Sequence, residues 1–165
     1  MADLGANSTD KRFDIRKMLS ENRQKFIEIM EQRQDEVCSE KIMEILFSTK
    51  EEDRVETVSI NETETIQTYN DGKVKWQLNS SVNPESASAI WAEQFTTIET
   101  NEHSIFFVFG MSDGNAVKQL MELHSECMFW IYEPSIEIFN EAIDRDIWLD
   151  IIKNNHVRLY VKKCK

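Results

Sequence analysis

The sequence has few of the residues that fix a chain by special chemistry: three cysteines, four glycines and two prolines in 165 residues. Cys38, Cys127 and Cys164 are far apart and show no C-x-x-C spacing, which is typical of reduced thiols, so we expect a cytoplasmic protein. The first ten residues lack the basic and apolar regions of a signal peptide. No apolar run approaches the length of a bilayer span, and we expect no membrane attachment.

Positive charge is also scarce. Nineteen lysines and arginines face thirty acidic residues, giving a formal net charge of -11. This net charge argues against electrostatic binding to nucleic acid or to an anionic membrane surface, because both are polyanions. An apolar fraction of 41% and a charged fraction of 30% are typical of a soluble globular domain.

The first half of the chain predicts a helix followed by a small antiparallel sheet. Residues 1–12 are polar and predict a disordered leader. Apolar residues then recur at helical spacing over residues 13–47, which predicts a long amphipathic helix, with the apolar set at 42–46 in the same helix or in a short successor. From residue 55 the period changes to two, and Asn70-Asp71-Gly72 is a strong turn signal. We predict a β-meander there, and group residues 13–83 as one region.

The second half predicts a Rossmann-like α/β unit over residues 84–165. Asn83 and Pro84 are a typical N-cap and first helical residue. The remainder alternates strands with helices, which indicates a parallel sheet with right-handed crossovers. Its strands are predicted at 105–109, 128–132 and 157–161, and its helices at 115–124, 135–145 and 146–153.

The run Ile105 to Phe109 is apolar without interruption, so we expect this strand to be covered on both faces. A parallel sheet of three strands leaves an open edge. We therefore expect the unit to be truncated at its carboxyl end, or another segment to complete the sheet.

One constellation suggests a binding site. Gly110, Ser112, Gly114 and Asn115 form a strand-to-helix turn, and Glu133 ends the next strand about twenty residues later. Glycines allow close approach of a ligand, the helix N-terminus supplies N–H donors, and an acid can bind a ribose diol. Asp113 would repel a phosphate, however, and Ser112 stands where a dinucleotide fingerprint has glycine. The other interpretation is a tight turn with no ligand.

Other signals for chemistry are absent. His103, His124 and His156 look isolated, with no carboxylate or cysteine at ligand spacing, so no metal site is predicted. No serine, cysteine or threonine lies in a nucleophile elbow, and no catalytic residue is assigned. The four tryptophans lie in apolar patterns typical of core or interface positions.

The order of these motifs resembles a known family. The segment NSSVNPESA at 79–87 is similar to that family's H-S-x-x-x-P-x-x-E-A segment, with Asn79 in place of the histidine. The run IFFVFGMSDGN at 105–115 resembles its apolar strand and G-x-G-x-G turn, and YEPS at 132–135 resembles its I-x-x-E-P strand end. The family is the motility accessory factor group, which overlaps the 6-hydroxymethylpterin pyrophosphokinase-like proteins.

The resemblance implies a function for the larger protein. It implies a Rossmann-like N-terminal domain, with accessory and interaction roles, before a central domain that transfers a nonulosonic acid from its cytidine-monophosphate donor to flagellin. The implied partners are the rest of the polypeptide and flagellin or another acceptor protein. The alternatives are a nucleoside- or S-adenosylmethionine-binding domain, methyltransferase-like or pyrophosphokinase-like, with a nucleotide-type ligand, or a homo-oligomeric adaptor with residues 13–47 as its dimer arm.

Overall fold

The chain folds into two separate three-stranded sheets with helices around them. A computed structural model describes residues 19–33, 42–46, 55–59, 65–80 and 82–161. One sheet is antiparallel in the order β1-β2-β3 and the other is parallel in the order β4-β5-β6, so the predicted α/β class with a small meander is confirmed. In chain order the elements are α1 (Glu21–Gln32), β1 (Val55–Ser59), β2 (Thr65–Asn70), β3 (Lys75–Gln77), α2 (Pro84–Glu93), β4 (Ile105–Phe109), α3 (Asn115–Leu123), β5 (Met128–Glu133), α4 (Ile136–Ala142), α5 (Asp146–Lys153) and β6 (Val157–Val161).

The predicted helix over 13–47 is wrong as a single helix. α1 begins after Ser20, whose Oγ accepts a hydrogen bond from the Arg23 N–H at 3.3 Å. It ends at Gln32, because Arg33 is extended with ψ 147. Helical backbone is present again at 42–46, which is the short successor that the apolar pattern left open, and residues 13–18 lie outside the described ranges.

Arg33, the first residue after α1, connects the end of this helix to distant parts of the chain. It donates to the Ile152 carbonyl at 2.7 Å and to the Val157 carbonyl. Both carbonyls lie near the end of α5 and the start of β6, so this side chain attaches the end of α1 to the parallel sheet region. α1 packs against α5, and its buried Phe26 meets Phe139 edge to face at 5.8 Å.

The meander follows its predicted turn. Gly72 has φ +88, a conformation that glycine adopts without steric cost. The Asp71 carboxylate accepts from the N–H groups of Lys73 and Val74, both at 2.8 Å. Tyr69 pairs with Trp76 across β2 and β3, which places the two side chains on the same face of the meander.

Helices cover one face of the parallel sheet. Alternate strand residues on that face are buried, including Phe129, Ile131 and Leu159, and they share one core with α1, α3, α4 and α5. Fully buried Trp148 of α5 belongs to the same core. The predicted helix 135–145 is shorter than expected, since α4 ends at Ala142. None of the helices in the described ranges is long and apolar enough to cross a membrane.

The expectation that Ile105 to Phe109 is covered on both faces is wrong. Among the described strands, β4 lies at the edge of the sheet and pairs with β5 alone. Phe107 is 66% exposed and Phe109 is 80% exposed, whereas Phe106 and Val108 pack on the core. An apolar run is typical of a strand between two helical layers, but here the helices in the described ranges lie on a single side.

Candidate functional site

The turn after β4 has an unusual backbone. Gly110 and Gly114 have φ +88 and +85, and Ser112 has φ +48, so every second residue is left-handed. A serine in this conformation is strained by roughly 1–2 kcal/mol. Its hydroxyl offsets part of that strain by donating to the Leu78 carbonyl at 2.9 Å. The turn thus binds the residues that follow the meander.

Asp113 makes the second link between the turn and the meander. One carboxylate oxygen accepts from the Asn79 amide at 2.9 Å, and the other accepts from the Asn115 N–H at 3.1 Å. The Asn79 side-chain oxygen, Oδ1, in turn accepts from the backbone N–H of Gln67 in β2 at 2.9 Å. Asp113 therefore accepts from the first N–H of α3, whose N-cap is Gly114, and attaches the start of this helix to the antiparallel sheet.

Glu133 is fully buried beneath the turn. Its carboxylate accepts from the Met111 N–H at 2.7 Å and from the Ser135 N–H at 2.8 Å, so it joins the loops after β4 and β5. Burial raises the pKa of this carboxyl, and the two backbone hydrogen bonds act in the opposite direction without outweighing it. Both carboxylate oxygens thus accept from backbone N–H groups of the protein itself. A ribose hydroxyl would have to bind at these same two oxygens.

The five predicted site residues come together as the sequence suggested. Gly110, Ser112 and Gly114 lie with Glu133 at the carboxyl end of the parallel strands, and Asn115 begins α3 beside them. Gly110, Ser112, Gly114 and Glu133 border a cleft of about 770 Å³, whose described lining does not include Asn115. The opposite wall consists of the meander and α2, which the sequence did not assign to the site. The cleft lies where ligands of open α/β sheets usually bind.

The cleft is aromatic and contains no positive charge. Its walls include Tyr69, Trp76, Trp91 and Phe109, and Trp76 is 55% exposed. Asp113 and Glu133 are the charged residues among its described lining, and no lysine, arginine or histidine lines it in that part of the chain. A phosphate here would meet negative charge without a compensating cation.

One cluster outside the cleft was missed. His124 is not isolated: with Glu126 and Cys127 it forms a group whose possible ligand atoms all lie within 4.8 Å of one another. The signal was present in the sequence as H-x-E-C at the end of α3 and the start of β5.

The chain matches no protein-family model, no curated protein and no solved structure.

Proposed function

We propose that this chain is a non-catalytic interaction domain, the accessory unit of a motility accessory factor-like protein glycosyltransferase. The observation that carries the proposal is the uncovered face of the parallel sheet, which we call the open face. We propose that it docks on an apolar helical surface of the glycosyltransferase domain.

The open face is built from aromatic rings in register. Phe107 and Trp130 are neighbours at 5.3 Å, Trp130 and Tyr160 at 6.0 Å, and Phe109 and Tyr132 at 5.7 Å. Large rings exposed side by side are characteristic of protein interaction surfaces. This row continues across all three parallel strands.

Charge and architecture favour an apolar helical partner. Strand alternation places one charged side chain on the described part of this face, Arg158, whose guanidinium donates to the carbonyls of Asn155 and Val157. Parallel sheets are ordinarily covered by helices on both faces.

The contacts in the cleft support a non-catalytic role. Ser112, Asp113 and Glu133 all bind the protein itself, and none of the described lining offers a cation for a sugar-nucleotide phosphate. A transferase site for a cytidine-monophosphate donor would need such groups. We therefore assign sugar transfer to the neighbouring domain.

Docking can be tested with a matched pair of exposed strand residues. We expect the chain to bind the glycosyltransferase domain of its own reading frame in calorimetry. Phe107→Lys should weaken binding at least tenfold, by analogy with interface anchors worth about 2 kcal/mol. Val58→Lys is the control, because Val58 is 61% exposed on β1, close to the 66% of Phe107. Absence of a complex, an equal effect of both variants, or sugar transfer by the isolated chain would each refute the proposal.

A second candidate is binding of a nucleoside-type ligand without phosphate, such as S-adenosylmethionine. The observation that favours it is the aromatic lining of a cleft at the carboxyl end of parallel strands. Calorimetry would compare adenosine with adenosine monophosphate, and would also include S-adenosylmethionine, cytidine nucleotides and ATP. This candidate predicts that adenosine or S-adenosylmethionine binds and that adenosine monophosphate does not. If neither adenosine nor S-adenosylmethionine binds, the candidate is eliminated.

A further inference from the structure

Three side chains with metal-binding atoms meet between α3 and β5. His124 is 5% exposed and Cys127 is fully buried, and Glu126 reaches them from the surface. The Cys127 Sγ lies 3.9 Å from a Glu126 carboxylate oxygen and 3.7 Å from the Asn101 carbonyl oxygen. Imidazole, thiol and carboxylate thus converge away from the cleft and from the open face.

The histidine is held in the orientation of a metal ligand. Its Nε2 lies 3.1 Å from the Phe95 carbonyl oxygen, to which it must donate, because a carbonyl can only accept. This leaves Nδ1, on the side of the ring that faces Thr100, as the ring nitrogen with a lone pair for a metal ion. A ligating histidine ordinarily anchors its second ring nitrogen on a carbonyl or carboxylate in this way.

Thr100 lies between two of the three side chains. Its Oγ1 is 3.0 Å from the His124 Nδ1 and donates to the Glu126 carboxylate at 2.8 Å, so one hydroxyl contacts both the imidazole and the carboxylate. The two side chains are thereby held on the same side of the cluster.

We infer that His124, Glu126 and Cys127 form a site for a Zn²⁺-like transition-metal ion. On binding, the Cys127 thiol releases its proton to solvent and coordinates as thiolate, and Nδ1 uses its lone pair. Thr100 turns away from Nδ1 to admit the metal. A thiolate, a carboxylate and a neutral imidazole balance a divalent charge, and this mixture of S, N and O donors favours Zn²⁺ over Mg²⁺ or Ca²⁺.

Cobalt provides a spectroscopic test that reports the thiolate directly. The full chain carrying Cys38→Ser and Cys164→Ser, treated with a chelator and freed of it, would be titrated with Co²⁺ and then with Zn²⁺. We expect one equivalent of Co²⁺ to produce a thiolate-to-cobalt charge-transfer band, and Zn²⁺ to abolish it by displacement. Because Cys127 is the remaining thiol in this variant, the band identifies its ligand.

Variants in the same background separate a built site from surface binding. Cys127→Ser should remove the band, and Glu126→Gln should weaken Co²⁺ binding at least tenfold, since even outer partners of metal ligands contribute 10–100-fold. His103→Asn is the matched control, because His103 is an exposed imidazole outside the cluster. If Cys127→Ser does not fold, the exposed Glu126→Gln still decides the matter. Absence of the band, or unchanged affinity in Glu126→Gln, would overturn the inference.

Discussion

The two faces of the parallel sheet are made from the same three strands yet have opposite environments. Phe106 and Phe129 stack on the covered face with centroids 5.5 Å apart and planes 9° from parallel. One residue further along each strand, Phe107 and Trp130 form a similar pair on the open face. Residue type is therefore nearly the same on both sides, and the positions of the helices decide which rings are buried.

The comparison separates stability from recognition. Burying an aromatic ring in the covered core contributes to folding, whereas the rings of the open face can contribute fully only when a partner covers them. The four predictions below use this contrast, from the largest expected change to the smallest.

Phe129→Ala should destabilise the protein by about 3–5 kcal/mol, because it opens a cavity in the covered core. Phe107→Ala, one strand away on the open face, should change the free energy of unfolding by about 1 kcal/mol or less. Urea denaturation followed by circular dichroism measures both. Equal losses would show that the open face is already packed in the free chain.

Gly114→Ala should be more destabilising than Gly110→Ala. Both glycines have φ near +85 to +88, which makes alanine unfavourable by roughly 1–2 kcal/mol. A Cβ at Gly114 would also lie 3.1 Å from the Trp148 indole nitrogen, whereas one at Gly110 meets nothing within 4 Å. Overpacking adds roughly 1–3 kcal/mol. If thermal unfolding ranks them equally, the covered core does not extend to this turn.

Glu133 provides a pH-dependent test, because it is a buried carboxyl on the covered side. Its pKa is raised in the folded state, so its contribution to stability is fully present below the unfolded value of about 4.5. That contribution is lost as pH rises through the folded pKa. Glu133→Gln cannot titrate, so the wild type should lose stability relative to the variant over this rise. A difference between the two that does not vary with pH would contradict the assignment.

Phe109→Ser should have the smallest effect on stability, within about 0.5 kcal/mol, since the ring is 80% exposed. It should nevertheless reduce the fluorescence of an apolar dye such as ANS, which binds exposed hydrophobic surface. Unchanged dye binding would show that the open face does not offer this ring as a binding surface.

Much of the local structure could be predicted from short-range signals. Three features depend only on neighbouring residues. They are the turn at Asp71-Gly72, the helix caps formed by Asn83 and Ser135, and the start of α3 after Gly114. The proximity of the turn after β4 to Glu133 could also be predicted, because the carboxyl ends of adjacent parallel strands meet at one edge; binding of a ligand there stays a prediction. Each of these features is encoded within a few positions of the sequence.

What could not be predicted depends on distant contacts. Two hydrogen bonds, Ser112 to Leu78 and Asn79 to Asp113, join positions more than thirty residues apart. The exposure of Phe107 follows from the order of the strands and the positions of the helices. The apolar pattern of β4 would be the same with helices on one face or on both, so it does not reveal this exposure. The cluster of His124, Glu126 and Cys127 is a different case, because its members lie within four positions of the sequence. The prediction treated His124 as isolated and did not consider the nearby carboxylate and thiol together with it.

Arg33 has a consequence for how the chain tolerates substitution. Its planar group reaches two carbonyl oxygens that belong to successive elements, Ile152 in the last turn of α5 and Val157 at the start of β6. A lysine would keep the charge, but its ammonium group lacks the planar, fixed N–H donors with which the guanidinium reaches both carbonyl oxygens. We therefore expect arginine, and not merely a positive side chain, to be needed at position 33, where the chain leaves its first helix.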